Sequence, residues 1–176
     1  NNILNEMKPF GSKRLLEIGS GSGVLSILAA KAGWKVDACD INPYAVAATH
    51  QNARALDVSI RVSEGGIGPV ENYPLNPAWD SGAYDVVLWN MPYIPPEEAG
   101  DDVLGPMEEA ALIDTHPDEL LEVFARNMAK NKLCKMDGIA FVVCREYVDW
   151  KRSIDIFRQH GIASRLIRSI EFDDQE

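Results

Sequence analysis

Short apolar runs alternate along the chain with longer segments of helical period, and this alternation predicts the order of elements. Arg14 to Ile18 is an apolar run that reads as a buried strand leading into Gly19-Ser20-Gly21-Ser22-Gly23. An apolar, alanine-rich helix is expected from Val24 to about Ala32, with Gly33 as its stop. Lys35 to Cys39 predicts a second strand, and Asp40-Ile41-Asn42-Pro43 opens a second helix with Asn42 as cap and Pro43 at its first position. That helix runs to about Leu56, and Ser59 to Val62 follows as a third strand. Residues 64–83, rich in Gly, Pro and Asn, read as a long irregular connection. Tyr84 to Trp89 predicts a fourth strand, Pro117 to Asn131 a helix and Gly138 to Cys144 a fifth strand. Tyr147 to His160 then predicts a helix, and Ala163 to Glu171 a sixth strand. The β-α-β-α-β order argues for an α/β fold, a doubly wound and mostly parallel sheet with helices on both faces.

The chain has 176 residues, of which 46% are hydrophobic and 25% charged. That is ordinary for a globular domain able to bury its own core. Residues 1–176 are therefore read as one domain, with further chain expected beyond both ends. It opens at Asn1 with no initiator Met, apolar signal region or basic leader, so no export signal is read. No apolar run approaches a membrane span, and no membrane partner is expected. Cys39, Cys134 and Cys144 are odd in number and lack C-x-x-C spacing. They read as free thiols, which suits a reducing cytoplasm. The net charge of −10 disfavours nucleic acid as a partner, since phosphate binding draws on a basic face. His50, His116 and His160 show no metal spacing and no nucleophile partner, so no metal is expected.

The glycine loop is the first candidate for chemistry. Open parallel sheets bind ligands at the carboxyl ends of their strands, where this loop lies. Its glycines let backbone approach a ligand, and the next helix points free N–H groups at it. Gly19 and Gly21 are followed by Gly23, with Val24 where a dinucleotide fingerprint needs glycine, and no Lys-Ser or Lys-Thr closes a triphosphate loop. Glu17 precedes the loop, and Asp40 ends the second strand, where a carboxylate can take both ribose hydroxyls. Glu17 would repel a phosphate but tolerate the ammonium and sulfonium of S-adenosyl-L-methionine.

The pattern Glu17-x-Gly19-x-Gly21-x-Gly23 followed by Asp40 resembles class I S-adenosylmethionine-dependent methyltransferases, which implies a Rossmann-like sheet. The resemblance implies cofactor contacts at Glu17, Gly19, Ser20, Gly21, Gly23 and Asp40. It also makes Ile41 an apolar lid against adenine and Glu64 a partner of the adenine amino group. Asn90-Met91-Pro92-Tyr93 resembles the Asn-Pro-Pro-Tyr motif of enzymes that methylate planar nitrogens, with Asn90 reaching cofactor and target together. Such a nitrogen is a poor nucleophile because its lone pair is delocalised. If the Asn90 side-chain oxygen and the Met91 carbonyl accept its N–H groups, the nitrogen is aimed and partly pyramidalised. Tyr93 would stack on the planar target and Pro92 would stiffen the turn.

Within this group the chain is most similar to the glutamine N(5)-methyltransferases of translation release factors. The matching runs are Leu15 to Gly23, Asp40 to Val46 and Tyr84 to Pro95. Three departures stand out: Met91 in place of the first Pro, no glycine-rich segment after Pro96, and no last antiparallel strand after Phe172-Asp173-Asp174. Between Met91 and Ala125 there is no Lys or Arg, while Glu97, Glu98, Asp101, Asp102, Glu108, Glu109 and Asp114 crowd the loop. An anionic mouth favours a basic protein segment over RNA or DNA. The leading expectation is methylation of a protein glutamine amide. An exocyclic base nitrogen in RNA or DNA is the enzymatic alternative, and an inactive cofactor-binding scaffold subunit is the non-enzymatic one. An activating subunit is compatible with either enzyme.

Overall fold

In the computed structural model, residues 13–67, 83–92, 117–131, 133–144 and 149–169 are described. Strand β1 (Arg14–Ile18) is buried along nearly its whole length, as a central parallel strand covered on both faces must be. It lies between β2 (Lys35–Asp40) and β4 (Tyr84–Asn90); β3 (Ile60–Glu64) flanks β2 and β5 (Cys134–Val143) flanks β4. The order is β3-β2-β1-β4-β5, and every pairing is parallel.

Helices α1 (Val24–Lys31), α2 (Pro43–Ala55), α3 (Pro117–Asn131) and α4 (Trp150–Gln159) cover this sheet. Leu15, Val36 and Val86 point to one face and pack with Ala29 of α1 and Trp34. Leu16, Ile18, Cys39, Val87 and Trp89 point to the other and meet Leu121 and Phe124 of α3 and Phe157 of α4. Alternation of side chains along each strand sorts them into these two layers. The Trp89 and Phe124 rings lie 4.8 Å apart, and Phe124 meets Phe157 edge-on at 6.2 Å. Asp37 is buried in the sheet but compensated: Arg61 and Arg14 donate to its carboxylate, and the Tyr84 hydroxyl donates at 2.8 Å.

The helix ends follow local rules. Asn42 caps α2 by accepting from the Tyr44 N–H at 2.9 Å, with Pro43 at the first helical position. Gly33 closes α1: its N–H donates to the Ala30 carbonyl, and the Trp34 N–H donates to that of Ala29. Gly161 with Ile162, and Asp57 with Val58, close α4 and α2 in the same way.

Three expectations shift. Strand β5 begins at Cys134 rather than Gly138, because Gly138 sits inside a bulge: Tyr84 pairs with Cys134 but Val86 pairs with Ile139. A Cβ at Gly138 would meet the Tyr84 carbonyl oxygen at 2.8 Å. Helix α4 begins at Trp150, where Asp149 accepts from the Lys151 and Arg152 N–H groups. The strand expected over Ala163 to Glu171 is absent over residues 163–169, the part of it that is described. Leu166 and Ile167 are consecutive and both exposed, so this segment offers no one-sided apolar face, and no strand beside β5 pairs with it among the described residues. Among the described residues no helix is long and apolar enough to cross a membrane.

Candidate functional site

The carboxyl ends of the first four strands form one rim. Register places Ile18 beside both Cys39 and Trp89, and Asp40 beside Glu64. The glycine loop leaves β1 between its neighbours. On one side the Gly19 and Ser20 N–H groups donate to the Cys39 carbonyl at 2.9 and 3.0 Å. On the other, a Cβ at Gly19 would lie only 3.8 Å from the Asn90 carbonyl oxygen. The residues expected to hold a cofactor and the residue expected to aim a nucleophile are therefore neighbours.

Gly19, Gly21 and Gly23 have φ of 69°, 54° and 82°, so every second residue of the loop is left-handed. That requirement explains the period-two glycines better than any dinucleotide fingerprint does. A Cβ at Gly21 would touch nothing within 4 Å among the described residues, which leaves room above the loop for a ligand. A Cβ at Gly23 would stand 2.8 Å from the Thr49 methyl group.

Asp40 is 5% exposed and holds the loop: one carboxylate oxygen accepts from the Gly21 N–H at 2.8 Å and the other from the Asn42 N–H at 2.9 Å. A carboxylate offers about four acceptor positions, so capacity remains for the two hydroxyls of a ribose. Glu64 is exposed beside it, and the Gly65 N–H donates to the Asp40 carbonyl at 2.9 Å. Ile41 is half-exposed on this rim and leans on Gly66, where a Cβ would meet its methyl group at 2.9 Å. The sequence reading did not single out Gly66; its contact with Ile41 arises just past the end of the β2–β3 pairing, where the chain leaves β3. Taken together, the acceptor at Asp40, the open space over Gly21 and the apolar surface of Ile41 fit the ribose, methionine tail and base of S-adenosyl-L-methionine.

Besides standing before the loop, Glu17 has a structural task at the first turn of α1. It is buried, and one of its oxygens accepts from the Ser26 N–H at 2.8 Å and from the Ser26 hydroxyl. Gly23 cannot cap α1 with a side chain, so Glu17 satisfies a first-turn N–H from the neighbouring strand. Burial pushes its carboxyl from an ordinary 4.5 up to about 7; the Ser26 hydrogen bonds oppose the rise and nearby Asp40 adds to it. Between those two values the folded state keeps a proton that the unfolded state has released. This contribution to stability is thus full below pH 4.5 and lost as the pH rises through about 7. The swing is about 3 kcal/mol. The unfolding free energy of the native protein minus that of Glu17→Gln should fall by that amount between pH 4 and pH 8. Denaturant titrations giving a flat difference would contradict the assignment.

Asn90 is the exposed last residue of β4. Met91 is 1% exposed, its side chain sunk in the core and its N–H donating to the Val143 carbonyl at 3.2 Å. A proline there would have no N–H to give, so Met91 fixes the turn by anchoring instead of by ring rigidity. Pro92 is half-buried; Tyr93, the seven acidic residues from Glu97 to Asp114, and His116 lie outside the described residues. His50 is exposed, and His160 pairs with Glu122 at 2.6 Å between α4 and α3. The three cysteines are free thiols. Burial pushes the Cys134 thiol up to about 11 and raises that of Cys144, so neither is a thiolate nucleophile near neutral pH. Missed by the sequence reading were Ser26, Thr49 and Asn52, which meet Glu17 and the loop; polar residues three apart on an alanine-rich helix were the available sign.

A family model described as "Ribosomal protein L11 methyltransferase (PrmA)" matches residues 3–91, half of the chain. A protein of Methanocaldococcus jannaschii, provisionally named a protein N5-glutamine methyltransferase, is 38% identical over 97 residues, 54% of this chain and 45% of that protein. The ribosomal protein L11 methyltransferase of Campylobacter lari is 51% identical over 49 residues, 28% of this chain and 18% of that one. The chain thus spans less than half the length of these curated relatives. Among solved structures, a TehB-like SAM-dependent methyltransferase from Corynebacterium glutamicum superposes with a TM-score of 0.58 at 15% identity. The overlap covers 90% of this chain and 70% of that one and shows a shared fold.

Proposed function

The chain belongs to the ribosomal protein L11 methyltransferase (PrmA) family of S-adenosylmethionine-dependent methyltransferases, and from that premise we propose that it methylates a planar nitrogen, the side-chain amide of a protein glutamine. The observation that carries this reading is the approach of Asn90 to the glycine loop at Gly19. Gly19, Ser20, Gly21 and Gly23 would hold the cofactor's tail, Asp40 its ribose, and Ile41 and Glu64 its adenine, while Glu17 braces the helix behind the loop. When bound, S-adenosyl-L-methionine supplies a methyl group already activated by a sulfonium leaving group. Asn90 accepts one N–H of the target amide through its side-chain oxygen and the Met91 carbonyl accepts the other. Two fixed acceptors aim the nitrogen and favour a geometry in which its lone pair is available. No strong base is required beforehand, since the methylated nitrogen is acidic enough to release its proton to water. Tyr93 would stack on the target plane.

A protein substrate is supported by the printed names of both curated relatives, an N5-glutamine and a ribosomal-protein methyltransferase, and by the net charge of −10. The same charge speaks against the exocyclic amine of an RNA or DNA base. Three free thiols suit a cytoplasmic setting, and the chain is taken as one methyltransferase domain that an activating subunit could serve. Tritiated methyl transfer into cell extract tests the substrate class: the label should become soluble on protease digestion. Release by nuclease alone would overturn the protein reading.

A further inference from the structure

We infer that Thr49, in the middle of α2, is a positioning residue for cofactor binding, clamping the glycine loop in its ligand-ready shape; this rests on the loop being the cofactor site proposed above. Its side chain is fully buried and meets the loop at Ser20, Gly21 and Gly23. The hydroxyl donates to the Gly21 carbonyl at 3.0 Å. A hydroxyl has a single proton, so the 3.2 Å contact with the Ser20 hydroxyl is one in which Ser20 donates and Thr49 accepts. The methyl group fills the space beside Gly23, where even a Cβ would come within 2.8 Å. One turn further along α2, the Asn52 amide donates to the Ser22 carbonyl at 2.9 Å.

The arrangement has a physical purpose. A loop with three left-handed glycines has many backbone states open to it, and ligand binding must otherwise select among them. Turning the Gly21 and Ser22 carbonyls toward α2 fixes the peptide planes on either side of residue 22, and Asp40 draws the Gly21 N–H to the opposite wall. Helix α2 itself starts from the Asn42 cap two residues after Asp40. The ribose acceptor and the loop clamp therefore belong to one rigid unit, β2 with α2.

Thr49→Val keeps the shape and the methyl contact but deletes both hydrogen bonds, whereas Thr49→Ser keeps the hydroxyl and deletes the methyl. Calorimetric titration of the full chain with S-adenosyl-L-methionine should show Kd raised about tenfold in Thr49→Val. In Thr49→Ser it should stay within about twofold of the parent, although both variants lose thermal stability. A purely structural Thr49 would lower Tm in both and leave the Kd of the folded protein unchanged; that result overturns the inference. Should Thr49→Val not fold, Asn52→Ala at its half-exposed position must raise Kd about threefold, and an unchanged value is equally contrary. No binding by the unaltered chain would overturn the proposed function together with this clamp, whereas tight binding by parent and valine variant alike would overturn the clamp alone.

Discussion

Replacing Asn90 with alanine is expected to slow methyl transfer by about 10²–10³-fold while leaving the affinity for S-adenosyl-L-methionine within about twofold. The magnitude is that of removing one preorganised acceptor from the position where charge develops. The residue can be spared structurally, because it is the exposed last residue of β4 and its contact with the glycine loop is through backbone. Its carbonyl near Gly19 survives the substitution, and the Met91 anchor to Val143 is untouched. Single-turnover transfer of a tritiated methyl group, alongside calorimetric cofactor titration, separates the two effects. Equal losses in rate and affinity would assign Asn90 to cofactor binding rather than to aiming the amide.

Asp40→Ala should give the opposite split, with cofactor affinity falling about 10²-fold or more. Two hydrogen bonds from ribose hydroxyls to a carboxylate contribute about 1.5–3 kcal/mol each, of which about 2.7 kcal/mol in total already gives that factor. A second cost adds to it, since the Gly21 and Asn42 N–H groups lose their acceptor and the loop loses one wall. Asp40→Asn keeps one oxygen and should recover part of the loss. Thermal unfolding of each variant guards against misreading a destabilised fold as weak binding. If Asp40→Ala bound the cofactor as tightly as the parent chain, the ribose assignment would fail.

The rim was legible in the sequence because its signals are local. Strand β1 running into alternate glycines, Asp40 ending β2 and Asn90 ending β4 each announce themselves within a few residues, and the parallel topology brings them together. What escaped depends on distant partners. Glu17 reads as a cofactor contact, and its bracing of α1 emerges only when Ser26, nine residues on, is seen donating to its carboxylate. Thr49 looks like an unremarkable polar residue in a helix until Gly21 and Gly23 are placed against it. Gly138 reads as a strand start, yet it is the bulge that lets β5 extend back to Cys134. The stretch 163–169 has strand-like composition but no neighbour to pair with among the described residues, and composition cannot supply a neighbour.

The chemistry at Asn90 is the centre of the account, and the identity of the methylated atom tests it most directly. Protein labelled by this chain with tritiated S-adenosyl-L-methionine, digested to free amino acids by proteases, should yield its radioactivity as N5-methylglutamine. Label recovered on a lysine or terminal amine, on a carboxylate, or on a nucleoside would contradict a rim built to aim a planar amide nitrogen.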